Sequence, residues 1–555
     1  MHKCVIGIDF GTLSARALLV NVSDGAVLAQ SVFPYPHGVM EDALPGGAPL
    51  KASWALHHPR DYLDALAYTV PDLLQKSGVD PSRVIGIGTD ATGSTVMPVD
   101  RAGNPLCLDP AFEDRPHAWA RIWKQQTAQD QADRVTALAA ARGEPWLPNY
   151  GGIVSATWML PKALETLEED PELYRAAAYF VEMADWLVWQ LTGTFSRSAC
   201  TAAYKALWQA ESGYPGREFT GALHPELKDF YQEKLAGPVT PLFSRAGLLR
   251  EDMAAQLGLP AGIPVAPGIL DAHVSASAAG LSRPGEMLSI LGTSGCHLLL
   301  SQQEADIPGI CGAAMDGILP GCLGYEAGQV CYGDHLDWLV RHFTPVAYLE
   351  EAQARGISAH ELLSRKAAPL QPGQTGLMAL DWWNGNRSIL VDSGLRGVLI
   401  GLGLDTRAEE IYRALLEALA FGARMIVQNF ERGGLPVDAV RATGGISQKN
   451  PLAMQIYADV LKLPVQVPKV QQGSAFGSAI LAALAAGEER GGYADVYTAM
   501  EHMMPKETVE YLPNPAHAAV YDTLFQEYER LHDYFGRGEN PVLKKLAAIK
   551  AAAGG

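Results

Sequence analysis

The chain has 555 residues, of which 48% are hydrophobic and 19% charged, and a formal net charge of −18. That composition excludes a disordered chain, and that charge excludes blind attraction to nucleic acid or an anionic membrane surface. At this length two to four domains are expected, with cores that need no disulfide or metal staple.

Residues 4–9 read as a strand, 11–14 as a Gly-Thr turn, 15–22 as a second strand and 27–32 as a third, turned by Ser23-Asp24-Gly25. Residues 38–53 are loop-like, 60–77 have helical apolar spacing, and 84–88 form a buried strand ending at Thr89-Asp90. A second organisation begins near Gly262: strand 286–291, turn Gly292-Thr293-Ser294, strand 296–301. Strand, Gly-Thr, Ser, strand thus occurs twice, which suggests a duplication. Helix 408–431, strand 437–443, turn Gly444-Gly445, helix 451–461, strand 465–467 and helix 475–486 follow, in α/β fashion. The tail, 500–555, holds two helical stretches and a Lys/Ala-rich end expected to fray.

The Ala-rich run 480–486 is too short to cross a bilayer and reads as a buried helix. Seven cysteines, with no C-x-x-C pair and no charged-then-apolar leader, point to free thiols in a reducing, cytoplasmic setting.

Four motifs can carry chemistry. In Asp9-Phe10-Gly11-Thr12-Leu13-Ser14-Ala15-Arg16 the glycine permits close approach of a phosphate, exposed N–H groups face anions, and Asp9 could hold Mg²⁺ through water. The same residues also suit an ordinary polar hairpin. Gly292-Thr293-Ser294-Gly295 is a plain turn alone and a second phosphate grip when paired with the first. In Gly268-Ile269-Leu270-Asp271-Ala272-His273 the carboxylate can be a general base or an N-cap for the helix that follows. In Ala442-Thr443-Gly444-Gly445-Ile446-Ser447 the glycines allow a flat ligand to reach the backbone beside a helix N-terminus, or simply make a tight turn. No G-x-x-x-x-G-K-[ST] occurs, Gly86–Gly93 misses the dinucleotide fingerprint by two residues, and no zinc spacing is present. Trp382-Trp383 reads as core.

In this order the motifs resemble the FGGY family of carbohydrate kinases, from Ile6 to about Gly487. Leu160-Pro161-Lys162, Asp185-Trp186-Leu187 and Leu191-Thr192-Gly193 are similar to its N-domain signature, and 472–479 to the helix start that closes its nucleotide site. The resemblance implies an α/β fold of two actin-like ATPase (ribonuclease-H-like) domains around a central cleft. The expected segments are 1–262 for the sugar, 263–500 for ATP and a helical tail, 501–555. It also implies roles. Asp271 is the catalytic base and a sugar contact, Asp9 the Mg²⁺-associated carboxylate, and Gly11, Thr12, Ser14, Arg16, Gly292, Thr293, Gly333, Asp337, Gly444 and Gly445 lie on the ATP side. Lys449 and Asn450 compete for the adenine-end position.

Within the family the pattern is closest to the branch that phosphorylates L-ribulose in arabinose catabolism. Thr89-Asp90-Ala91-Thr92-Gly93-Ser94 replaces the Gln-Met-His-Gly-type segment of other members, and Asp90, Gly93, Lys205 and Glu326 become sugar-binding positions. Two departures stand out: a long spacer between Gly397-Val398 and the helix at 410–417, and Leu415 within it. The implied ligands are a small sugar, ATP and Mg²⁺, with no nucleic acid or membrane partner and room for a homodimer. Other readings are a kinase of D-ribulose, xylulose or a polyol, a sugar sensor without transfer, and an actin- or Hsp70-like ATPase without a sugar.

Overall fold

The computed structural model describes residues 3–553. Contacts divide the chain into two compact units, neither contiguous in sequence. The first runs through Ser282 and adds Ala313–Gly324 and Val470–Pro505. The second comprises Arg283–Gly312, Tyr325–Lys469 and the chain from Lys506 onward.

The first unit is built on a sheet whose order is Gly247–Leu248, Pro264–Val265, Val84–Ala91, Cys4–Phe10, Ser14–Asn21, Val27–Pro34. Cys4–Phe10 and Val84–Ala91 run parallel, with Asp9 beside Asp90, and Ile269–Leu270 lies along Asp90 and Ala91. Both strands are buried over their whole length, which accounts for their continuous apolar character. Side chains alternate across them. Ile6, Ile8 and Phe10 share a core with Tyr62, Leu66 and Val70 of the helix Pro59–Ser77.

Gly7, Gly86 and Gly88, on the other face, are glycine because the helix Gly473–Ala486 lies directly on them. A Cβ at Gly7 would sit 1.9 Å from the carbonyl oxygen of Ala475, at Gly88 2.0 Å from that of Ser478, and at Gly86 2.2 Å from that of Ala482. The helix is alanine-rich for the same reason. The near-fingerprint at 86–93 is therefore a packing surface, and the stretch 472–479 opens a helix that rests on the first unit's central strands. A second core of this unit gathers Trp54, Trp146, Tyr150, Trp158, Leu160 and Leu164.

In the second unit the sheet passes through Leu323–Gln329, Gly295–Ser301, Glu286–Leu291, Ala439–Thr443, Val465–Pro468 and Thr508–Tyr511. Glu286–Leu291 pairs antiparallel with Gly295–Ser301 and parallel with Ala439–Thr443. In both sheets the first strand pairs antiparallel with its hairpin partner and parallel with a later strand, so the duplication expected from the hairpins extends to this part of the topology. The 25-residue helix Ala408–Arg432 is buried along most of its length. The helix Pro515–Gly536 is tied in by buried side chains: Tyr521 donates to Glu417 at 2.9 Å and Tyr528 to Asp381 at 2.8 Å. The Lys/Ala-rich end, expected to fray, is the helix Val542–Ala552, and Lys544 pairs with Asp392 at 2.6 Å. Trp382 is buried, as a core residue should be.

Candidate functional site

Three carboxylates of the first unit stand at neighbouring strand ends. Asp9 closes Cys4–Phe10, Asp90 closes Val84–Ala91, and Asp271 follows Ile269–Leu270. Asp90 is fully buried, and Ser478 donates to its Oδ2 at 2.6 Å. Burial and the neighbouring charges of Asp9 and Asp271 push its carboxyl well above the usual carboxylate range. Burial also raises Asp9, against the attraction of Arg16, whose Nη1 donates to Asp9 Oδ2 at 3.1 Å. Asp9 and Asp90 lie side by side on paired strands, so the charge of Asp9 adds to burial in raising the Asp90 carboxyl.

Asp271 is the first residue of the helix Asp271–Ala278, whose N-cap is Leu270. Its Oδ1 accepts the Ala272 N–H at 2.8 Å, which fixes the carboxylate's orientation. It is half-buried, unlike Asp90. Gly93 is closely packed: a Cβ there would meet Lys205 Cε and Leu270 Cδ2, each at 3.2 Å. Lys205 is buried on the helix Ala199–Ala206, which its Ser198 cap starts. Gly93, Lys205 and Asp271 thus gather on one face of the unit.

The first hairpin is closed by the Gly11 N–H donating to Ser14 O at 3.1 Å, and Thr12 accepts the indole N–H of Trp123 at 3.1 Å. The second is closed by the Gly292 N–H donating to Ser294 O, also at 3.1 Å. In the second unit the Gly333 N–H donates to Gly292 O at 2.9 Å and Thr293 O at 3.0 Å, where the helix Gly333–Phe343 begins. Gly444 has φ +95°, and a Cβ on it would lie 2.5 Å from Leu291 O. Gly292, Thr293, Gly333 and Gly444 therefore form one backbone cluster without a side-chain charge, and Gly445 opens the short helix that follows. Asp337, one turn along from Gly333, pairs with Arg341 at 2.9 Å and His360 at 2.7 Å.

Glu326 also belongs to the second unit, buried in Leu323–Gln329 and ion-paired with Arg387. Among the described residues, His37, His58 and Asp61 form a group with metal-ligand spacing. Its His37 Nδ1 is held by Asp61 at 2.7 Å, His58 Nδ1 accepts the Arg60 N–H at 3.2 Å, and the two rings are stacked at 4.1 Å. Stacked rings do not converge their lone pairs on one ion.

Residues 4–278 match the N-terminal domain, and 287–486 the C-terminal domain, of the FGGY family of carbohydrate kinases. The chain belongs to that family. It is 48% identical over 552 residues to a ribulokinase of Geobacillus thermodenitrificans, covering 99% of this chain and 98% of that one. A ribulokinase of Mycolicibacterium smegmatis is 47% identical over 553 residues, covering 99% and 97%. A solved xylulose kinase from Rhodospirillum rubrum superposes with a TM-score of 0.78 at 25% identity, covering 96% of this chain and 98% of that one. Plasmodium falciparum glycerol kinase with ADP does so with 0.76 at 16%, covering 95% and 98%, and shares the fold.

As an FGGY sugar kinase the chain is not an ATPase that dispenses with a sugar. Of its two adenine-end candidates, Asn450 is engaged locally. Its Oδ1 caps the helix Pro451–Leu461 through the Ala453 N–H at 3.1 Å, and its Nδ2 donates to Tyr412 at 3.2 Å. Lys449 is exposed. Sequence reasoning missed four residues that shape the site: Trp123 on Thr12, Ser478 on Asp90, Arg387 on Glu326, and Lys162 beneath the Gly93 loop. All four act through contacts between distant segments. Lys162 alone lay in a noted motif, and there without a role.

Proposed function

We propose that this chain transfers the γ-phosphoryl group of ATP to L-ribulose, giving L-ribulose 5-phosphate. The observation that carries the substrate is its likeness, over almost the entire length of both chains, to ribulokinases at 48% identity. No helix among the described residues is long and apolar enough to cross a membrane, in keeping with a small, soluble substrate.

Asp271 serves as general base. Its half-buried carboxylate takes the proton of the sugar's terminal hydroxyl as that oxygen bonds to the γ-phosphorus. The bond to the bridging oxygen breaks in line, and ADP leaves with its electron pair. Lys205 and the backbone around Gly93 hold sugar oxygens, and the family resemblance assigns Glu326, ion-paired with Arg387, to the sugar as well. The uncharged backbone at Gly292, Thr293, Gly333, Gly444 and Gly445 suits a polyanion because it repels none of its charges. Gly11, Thr12, Ser14 and Arg16 offer donors to the transferring phosphoryl group, and Arg16 holds Asp9 in place.

Asp9 fits a divalent cation held through water, since Arg16 already engages its Oδ2. When bound, Mg²⁺ would offset charge on the phosphate oxygens. Asp90, buried against Asp9 and Ser478, supports the sugar site from behind its wall. Its role is to fix the strand end from which the Gly93 loop departs.

The test is ADP release with Mg-ATP over L-ribulose, D-ribulose, L-xylulose, D-xylulose, ribitol and glycerol, with a sugar-free control. Highest kcat/KM on L-ribulose is the expected result. A preference for xylulose or glycerol would overturn the substrate while leaving the kinase.

A further inference from the structure

Lys162 is one of the most deeply buried charges in the first unit, and its hydrogen bonds go to backbone. From the helix Met159–Glu169 its Nζ donates to three carbonyls: Ser94 O at 2.8 Å, Arg121 O at 2.9 Å and Ile122 O at 3.2 Å. Those three bonds use every donor an ammonium has. Burial pulls its pKa down, so the fold holds this charge at a cost. A Met or Leu would fill the same space without that cost. The return must lie in what the three carbonyls do.

The carbonyls belong to two separate loops. Ser94 follows Gly93 and has φ +58°, a conformation a non-glycine residue keeps only when its surroundings impose it. Lys162 holds its carbonyl, and Glu182 Oε2 accepts the next N–H, that of Thr95, at 3.0 Å. The loop that holds Gly93 is thus clamped at both polar ends of the Ser94–Thr95 peptide group. Arg121 and Ile122 immediately precede Trp123, whose indole N–H donates to the Thr12 hydroxyl. That bond holds the Thr12 hydroxyl oxygen in place at the first hairpin. One ammonium therefore joins the backbone of the sugar-side loop to the residue that orients Thr12.

We propose that Lys162 is a positioning residue that keeps the Gly93–Thr95 loop and the Trp123–Thr12 contact in fixed register, so that losing it disturbs both together. The inference rests on assigning Gly93 to the sugar and Thr12 to the phosphoryl group. The register itself is tested without substrate by amide hydrogen exchange on the full chain, comparing wild type with Lys162→Met. Thr95, bonded to Glu182, and Gln125, whose N–H donates to Ile122 O at 3.1 Å, report the two loops. Both amides should exchange at least about tenfold faster in the variant, with the amides of Pro515–Gly536 unchanged. Faster exchange in one loop only overturns the proposal.

Kinetics then separate positioning from mere stability. Lys162→Met should lose at least about tenfold in kcat/KM for ribulose, with the KM for ATP within twofold of wild type and a cooperative melt. Trp123→Phe, at a half-exposed site, should lower kcat severalfold and leave the sugar KM in place. The double variant should be no worse than Lys162→Met alone, because both act through one path. Wild-type kcat and KM in Trp123→Phe, or losses that multiply in the double variant, overturn the proposal, and the first of these decides even if Lys162→Met fails to fold. A wild type with no sugar-dependent ADP release would instead overturn the functional reading, and is seen before any variant is made.

Discussion

The two hairpins follow one plan and carry opposite chemistry. In the first unit Asp9 pairs with Asp90 across parallel strands; at the same register in the second, Ile290 pairs with Thr443. Two positions earlier the first unit has Gly7 beside Gly88, and the second has Leu288 beside Arg441. A shared strand pairing thus became an acidic strand end in one unit and an uncharged backbone cradle in the other. The difference follows from the roles proposed for each: the first carries the carboxylate assigned to Mg²⁺, and the second offers a triphosphate backbone donors with no anion beside them.

The largest effect should come from removing the base. Asp271→Asn keeps the shape and the Ala272 contact, and should turn over at least about a hundredfold more slowly than wild type. Near-normal turnover would move the base elsewhere. Steric contrasts come next. Gly88→Ala adds one methyl 2.0 Å from Ser478 O, so strand or helix must shift, costing ~1–3 kcal/mol or more. At the position of the other sheet that matches Gly7, stability is lost by removing bulk instead of adding it. Leu288 is fully buried, and Leu288→Ala should lose ~2–5 kcal/mol by leaving a cavity. Denaturant melts of both variants check the pair; a neutral Gly88→Ala would mean the helix does not lie against its strand.

A smaller effect should follow from giving the second unit the first unit's charge. Ile290 is half-exposed, so Ile290→Asp can be accommodated. Steady-state kinetics should show the KM for ATP rising about tenfold while the sugar KM holds, a change worth ~1.4 kcal/mol. An unchanged ATP KM would detach the second hairpin from the nucleotide.

Much of this was legible in sequence. Strand, turn and helix positions came from local patterns, and the paired Gly-Thr turns disclosed the duplication before its topology was seen. What escaped was the return of the segment 470–505 to the first unit. The clue was present: glycines inside strands mark close backbone approach, and Gly7, Gly86 and Gly88 all face the alanine-rich helix. Local pattern could not name the approaching element, because about four hundred residues separate them in the chain. Asn450 has a nearer signal: an Asn before Pro451 marks an N-cap, and it caps the helix Pro451–Leu461. The Trp123, Arg387 and Ser478 contacts have no local signature at all.

The smallest expected effect concerns acid stability, and it again sets the two sheets apart. In the second, His297 is fully buried between Ser289, at 3.0 Å, and Gln329, also at 3.0 Å, and Gln329 donates to Asp381 at 2.7 Å. The corresponding pair in the first sheet is Ile8 beside Ala17, which cannot titrate. Burial lowers the His297 pKa to about 4, so the ring is neutral in the fold at neutral pH. The unfolded chain takes up a proton near pH 6.5, and between 6.5 and 4 it binds more protons than the folded chain. Stability is therefore present above that window and lost as pH falls through it, by up to roughly 3 kcal/mol from this residue. His297→Gln keeps a donor and an acceptor, and should flatten the fall of the urea midpoint between pH 6.5 and 4.5. If the slope is unchanged, His297 is not the proton's destination, and the buried His57 of the first unit, also lowered to about 4 by burial, becomes the group to replace next.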